Sequence, residues 1–215
     1  MKIKAKISLL YKTFCQAEGN QHIASEFAIL KLQDLVESFK VKSILEVGLG
    51  IGAIAGSLLA MNKNIAYSGT EHNDFCLSAL KGNLKLVFPR LKIHKNLNGL
   101  SRDQKFDLII IDGKDPDLNL IKNLLTINGL IAVEGDRMPQ QEILREIFPE
   151  HKYVHSISLR KNNSYSPFPA EEWQGGLKVI FVNPTIKQSL WWFREKYFTK
   201  IKYQFPGRYL GSKRK

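Results

Sequence analysis

Ile44-Leu-Glu-Val-Gly48-Leu-Gly50-Ile-Gly52-Ala-Ile-Ala-Gly-Ser-Leu-Leu-Ala60 decides how the rest of the chain is read. Ile44 to Val47 is an apolar run of buried-strand length. Three glycines then break it, and Ala53 to Met61 resumes with helix-forming residues. A strand, a glycine turn and a helix let a ligand approach the backbone closely, because glycine has no Cβ to hold it off. The amides that open the helix are free to receive an anionic or polar group. Taken alone, the stretch also suits a plain glycine turn in any α/β protein.

Working outward, strands and helices alternate. Gln21–Lys40 carries apolar residues at mixed three and four spacing, which predicts an amphipathic helix before the first strand. His22 lies at its start, where exposure to solvent is expected. Asn64–Thr70 reads as the second strand, ending in Glu71-His72-Asn73-Asp74, and Phe75–Leu86 as the helix after it. Glu71 falls 21 residues beyond Gly50, close to the spacing of about 20 that a ribose-binding acid takes in a nucleotide-binding β-α-β unit. A carboxylate can accept from both ribose hydroxyls. The competing reading makes Glu71 part of a helix N-terminus that Asn73 or Asp74 would cap equally well.

Leu91–Lys95 alternates as a third strand, followed by Asn96-Leu-Asn98-Gly99. Phe106–Asp112 is a continuous apolar run ending in an acid and Gly113, the pattern of a central parallel strand that delivers a carboxylate to the ligand-binding edge. A helix is expected over Leu118–Ile127. A turn at Asn128-Gly129, a strand to Glu134, and then Gly135-Asp136 complete this unit. Pro139–Phe148 reads as a helix, and Tyr153–Leu159 and Gly176–Val182 as two closing strands. The link between those strands is long for a hairpin, and long loops are often functional. Tyr165, Phe168 and Trp173 in it are candidates to shape an acceptor pocket.

The glycine turn admits two cofactors. Read as G-x-G-x-x-A, Gly48 to Ala53 is a dinucleotide fingerprint for NAD or FAD. Read from Glu46 as E-x-G-x-G-x-G, it resembles the first motif of class I S-adenosylmethionine (SAM) methyltransferases. There the acid lies near the methionine part of the cofactor. A carboxylate suits the ammonium and sulfonium charges of SAM, whereas it repels a pyrophosphate placed beside it. The run FDLIIIDG…LLTINGLIAVEGD resembles the fourth and fifth strands of that family, closest to small O-methyltransferases whose fourth strand ends in I-D-G. Their usual L-x-P-G-G turn appears here as Leu125-Thr-Ile-Asn-Gly129, a departure that keeps one glycine.

The resemblance covers about residues 20–183. It implies a Rossmann-like, doubly wound α/β fold: a mostly parallel seven-stranded sheet closed by a C-terminal antiparallel hairpin. Residues 1–184 would form the SAM-binding domain and 185–215 a basic aromatic helix and tail. The implied cofactor residues are Glu46, Gly48, Gly50, Gly52, Glu71, His72, Asn96 (on the adenine edge) and Asp112. Asp112 is also the implied catalytic group, with Glu134 and Asp136 in reserve. Some relatives are cation-dependent, with one Asp after the fourth strand and an Asp-Asn pair after the fifth. Here the second position reads Glu134-Gly135, so no metal is assigned. No N/D-P-P-Y/F sequence follows the fourth strand, which argues against amino-directed adenine methylation. The expected reaction is methyl transfer to an oxygen of a small molecule or glycan.

Two alternatives stay open. An NAD-dependent oxidoreductase would need a catalytic Tyr-Lys or His, and no Y-x-x-x-K stands at the right place. A non-catalytic SAM-fold module would bind RNA or an anionic membrane through its basic ends. Charge bears on this last reading. The chain's net charge is +12, yet residues 13–184 are neutral: residues 1–12 hold four lysines, and 185–215 hold nine Lys or Arg against Glu195. Ser189–Phe205 interleaves aromatics with cations on a helical stripe. Docking on the body is the first reading of 187–215, contact with an anionic membrane the second and RNA the third. Only two cysteines occur, far apart, and no stretch reaches the roughly 20 apolar residues of a membrane span. The expected location is therefore cytoplasmic, with the inner face of a membrane open to the tail. The sequence leaves the oligomeric state undetermined.

Overall fold

A computed structural model describes residues 3–135 and 137–204. Seven strands form one sheet in the order β3-β2-β1-β4-β5-β7-β6. They are β1 (Ser43–Val47), β2 (Ala66–Thr70), β3 (Leu91–His94), β4 (Phe106–Ile111), β5 (Leu125–Glu134), β6 (Lys152–Ile157) and β7 (Gly176–Phe181). The first five are parallel, and β7 runs antiparallel between β5 and β6. The doubly wound sheet with its closing hairpin is thus the one expected.

Side-chain alternation builds two cores. Ile44, Leu108, Ile110, Leu130, Ala132 and Val179 face one, and Leu45, Val47, Ile109, Ile111, Ile131 and Ile180 face the other. Because both faces are covered, β4 needs apolar residues at every position, which is why its sequence does not alternate. Helices α1 (Ile3–Cys15), α2 (Glu26–Phe39) and α3 (Ala53–Met61) cover the first face, joined by Leu80 and Leu84 of α4 (Asp74–Leu84). A short turn of helix, α5 (Ile121–Leu124), and α6 (Met138–Ile147) cover the second.

Several boundaries differ from expectation for identifiable reasons. Helix α1 was not foreseen, although Ile7, Tyr11 and Phe14 repeat at four and three spacing and are buried. Phe14 packs where a Cβ on Gly56 of α3 would otherwise stand. The helix expected from Gln21 starts at Glu26, capped by the Ser25 hydroxyl on the Ala28 amide. Residues 118–127 do not form one helix. A 3-10 turn and α5 end at Leu124, and Leu125-Thr126-Ile127 joins β5, with Leu125 paired to Phe106. Branching at Cβ favours the extended chain there.

Helix α7 (Ile186–Tyr203) begins three residues earlier than read, because Thr185 and Gln188 form a reciprocal capping box. Its expected last residue, Phe205, lies outside the described residues. Gln188, Trp191, Glu195 and Thr199 turn inward. Trp191 stacks edge-on against Phe39, and Glu195 Oε1 is 3.1 Å from Lys31 Nζ. Among the described residues, no helix is long and apolar enough to cross a membrane.

The long link before β7 is held down by α1 and α2. Asn163 donates to Glu26 Oε2 at 2.6 Å, and Tyr165 meets Tyr11 edge to face. Lys161 sits over the Trp173 ring at 4.3 Å.

Candidate functional site

Strand order reverses between β1 and β4, and in open α/β sheets the crevice outside the carboxyl ends at that point receives the ligand. A cleft of about 800 Å³ opens there, within the usual size range of small-molecule sites. Its walls come from the ends of β1, β2 and β4, from the turn after β3, and from residues 19–24 ahead of α2. Tyr165, Phe168 and Trp173 do not line it.

The three glycines of the turn have separate jobs. A Cβ on Gly48, whose φ is +87°, would stand 2.5 Å from the Gly113 Cα. Gly48 therefore lets the turns after β1 and β4 touch. A Cβ on Gly52 would strike Leu84 and Leu80, so this glycine lets α4 close on the start of α3. At Gly50 nothing lies within 4 Å of the same position, which makes it the one that leaves room at the cleft wall. Gly48→Ala should lower stability by about 3 kcal/mol or more, since both a left-handed conformation and a backbone clash oppose it. Gly50→Ala meets only the conformational cost, about 1–2 kcal/mol. Urea unfolding of the two variants checks this order.

Glu71 ties the turn to β2. Its Oε2 accepts from the Gly50 amide at 2.8 Å, and Oε1 accepts from the His72 and Asn73 amides, each at 2.9 Å. Asn73 caps α4 by accepting from the Cys76 amide. Asn73 is therefore the cap of α4, and Glu71 lines the cleft. His72 is exposed at the rim, and His22, in a 3-10 turn, also lines the cleft. Asn96 lines the cleft, whereas Asn98 is turned away to Asp117. Asp115 is a structural acid that accepts from the Leu97 and Asp117 amides.

Glu46 is wholly buried at the floor. The Tyr67 hydroxyl donates to its Oε2, but Oε1 has no hydrogen-bond partner among the described residues. An unpaired buried carboxyl oxygen is costly. Burial pushes the Glu46 carboxyl well above the ordinary carboxylate range, the Asp112 and Glu71 charges push the same way, and the Tyr67 hydrogen bond opposes them.

Asp112 projects from the end of β4 and meets Arg137, a residue the sequence reading passed over. Arg137 Nη2 lies 2.7 Å from Asp112 Oδ1 and also donates to the Asp112 carbonyl, while Nε donates to the Glu134 carbonyl at 2.9 Å. One guanidinium thus pins the ends of β4 and β5 together. Glu134 stands behind Asp112, takes the Ser25 amide at 3.4 Å, and does not line the cleft. The Asp112 and Glu134 carboxyls are near enough to shift each other's titration. Burial is the main reason both are shifted upward; at Asp112 the Glu134 charge adds to it and Arg137 opposes. Asp136 lies outside the described residues.

Asp112 and Glu134 are the positions of the cation-dependent pattern that fall among the described residues. They offer two carboxyls, but Asp112 Oδ1 is already taken by the Arg137 guanidinium. Among the described residues no group of three or more His, Cys, Asp or Glu could hold a metal ion. The described donors therefore do not make up the roughly six or more oxygen ligands that a hard divalent cation takes.

No protein-family model matches the chain, and no curated protein matches it either. Solved structures do match its fold. The O-methyltransferase of Bacillus cereus in complex with S-adenosylhomocysteine (SAH) superposes with a TM-score of 0.60 at 14% identity, over 83% of this chain and 90% of that one. TomG, an O-methyltransferase of Streptomyces achromogenes in complex with SAM, gives 0.57 at 13%, over 85% and 90%. A precorrin-6y C5,15-methyltransferase of Geobacter metallireducens gives 0.54 at 14%, over 72% and 87%. At these identities the likeness is one of fold.

Proposed function

We propose that the chain is a SAM-dependent methyltransferase acting on an oxygen of a small molecule or glycan. The observation that carries this is Glu46: a buried carboxyl whose Oε1 is unpaired at the floor of the cleft. An ammonium or sulfonium compensates such an oxygen, whereas a pyrophosphate would meet repulsion from it. Glu71 would hold the ribose, Gly50 would leave space for the ligand's body, and Asn96 would meet the adenine edge. His72, at the rim, would flank the nucleoside. The donor, when bound, supplies an electrophilic methyl group on sulfur.

Displacement at that methyl needs an aligned acceptor and, for a hydroxyl, a base. Asp112 lines the cleft with a carboxyl made more basic by burial, and it would take the hydroxyl proton. Arg137 would keep it oriented and limit its rise. Glu134 would act on the reaction only through Asp112. Asp136 is kept as a reserve group on sequence grounds alone. The likeness of fold to O-methyltransferases supports oxygen as the acceptor atom.

A thermal-shift assay tests the reading. SAH at a hundredfold excess over its Kd should raise the melting temperature by about 5–10 °C for a chain of this size, and NADH should not. Stabilisation by NADH alone, or by neither, overturns it. Because Arg137 supplies the positive charge at Asp112, chelators such as EDTA should leave the initial rate of methyl transfer unchanged, and added Mg²⁺ should not raise it.

A further inference from the structure

The outer face of α7 is built unlike the rest of the surface. At about 100° per residue, Ile186, Leu190, Phe193 and Tyr197 fall within about 60° of one another, a stripe some 16 Å long. They are 83, 67, 67 and 59% exposed. Gln188, Trp191, Glu195 and Thr199, on the opposite side, hold the helix against the body through Asn128, Phe39, Lys31 and the His155 carbonyl. The exposed stripe is therefore not a docking face left over from folding. The helix is already docked by its other side.

Charge frames the stripe. Lys187 and Arg194 flank it on one side, and Lys196 and Lys200 on the other. Lys187 reaches the Ser38 carbonyl, and Lys196 lies over the Trp192 ring at 4.8 Å. Beyond the described residues the sequence adds Arg208, Lys213, Arg214 and Lys215 with no acid. The body, by contrast, is neutral over residues 13–184.

We propose that α7 lies on an anionic lipid bilayer, its Ile186–Leu190–Phe193–Tyr197 stripe entering the headgroup–acyl boundary and its flanking cations meeting lipid phosphates. An interfacial helix needs this arrangement: an apolar stripe, an aromatic ring with a polar tip, and basic residues on both flanks. A second copy fits less well, because a twofold contact would set the two rows of cations against each other. RNA fits less well too. Ile186 and Leu190 offer no ring on which a base can stack.

Co-sedimentation of the full chain with lipid vesicles tests the proposal. Vesicles in which about a third of the lipid is phosphatidylglycerol should pellet the protein, and phosphatidylcholine alone should not. Binding should weaken as salt is raised, because the charge term is screened. The double variant Leu190→Glu, Phe193→Glu should lose about tenfold or more in binding to the anionic vesicles. Both positions are exposed, so an unchanged SAH-induced thermal shift in that variant shows the body intact. No binding to anionic vesicles, or equal binding by the variant, overturns the proposal. So does a wild-type dimer on light scattering that the variant abolishes, or retention of a single-stranded RNA that the variant loses while vesicle binding stays the same.

Discussion

Replacing Glu71 by alanine is expected to weaken SAH and SAM binding about a hundredfold while the protein still folds. The carboxylate does two things at once. It gathers the Gly50, His72 and Asn73 amides, and so holds the turn after β1 against the end of β2. Three of its roughly four acceptor sites are thus occupied from within. One free site on Oε2 remains for a ribose hydroxyl, so a second hydroxyl must share Oε1 or displace an amide. Losing the carboxylate removes the contact to the ligand and also frees the turn that shapes the site. Glu71→Gln should fare little better than alanine, because an amide nitrogen placed at Oε2 would face the Gly50 N–H, donor against donor. The folding cost should be smaller, about 2 kcal/mol or 4–8 °C in melting temperature, since water reaches the freed amides at the cleft wall. Calorimetric titration with SAH, beside thermal unfolding, separates the two effects. Unchanged affinity in the alanine variant would remove Glu71 from the cofactor site.

What was legible in the sequence follows from how far each signal reaches along the chain. The stretch from Ile44 to Ala60 is local: apolar run, turn and helix are neighbours, so their order is written in consecutive residues. β4 was equally plain, since burial on both faces demands an unbroken apolar run. Glu71 stood out because a β-α-β unit has a nearly fixed length. Arg137 carried no such mark. Its contacts to Asp112 and to the Glu134 carbonyl exist only because β4 and β5 pair, and a lone arginine after a strand reads as solvated. Helix α1 was missed for a different reason. Its Ile7–Tyr11–Phe14 repeat is visible, but four lysines among the first twelve residues draw attention to charge instead of periodicity. The division of labour among Gly48, Gly50 and Gly52 was not legible at all. It depends on Gly113, Leu80 and Leu84, which only the folded chain brings to the turn.

Glu46 should make cofactor binding depend on pH, in a direction that its surroundings determine. In the unliganded protein, burial first, then the Asp112 and Glu71 charges, favour its protonated form. A group whose folded-state pKa is raised contributes stability that is complete below its unfolded value, about 4.3, and fades as pH rises through the folded one. The unliganded protein should therefore lose stability toward alkaline pH. Glu46→Gln, which keeps an oxygen for the Tyr67 hydroxyl, should flatten that slope and melt higher near pH 8. Ligand binding runs the opposite way. A cation brought beside Oε1 favours the carboxylate, so SAM should bind more tightly as pH rises and should expel protons as it binds. Titrations in two buffers of different ionisation enthalpy measure that release. The glutamine variant should bind SAM about 10- to 100-fold more weakly. It should also expel fewer protons, with a remainder from the Asp112–Glu134 pair, which is shifted the same way. If the variant instead binds as tightly as the parent and releases as many protons, then the Glu46–Tyr67 pair only supports the sheet, and the ammonium is held elsewhere.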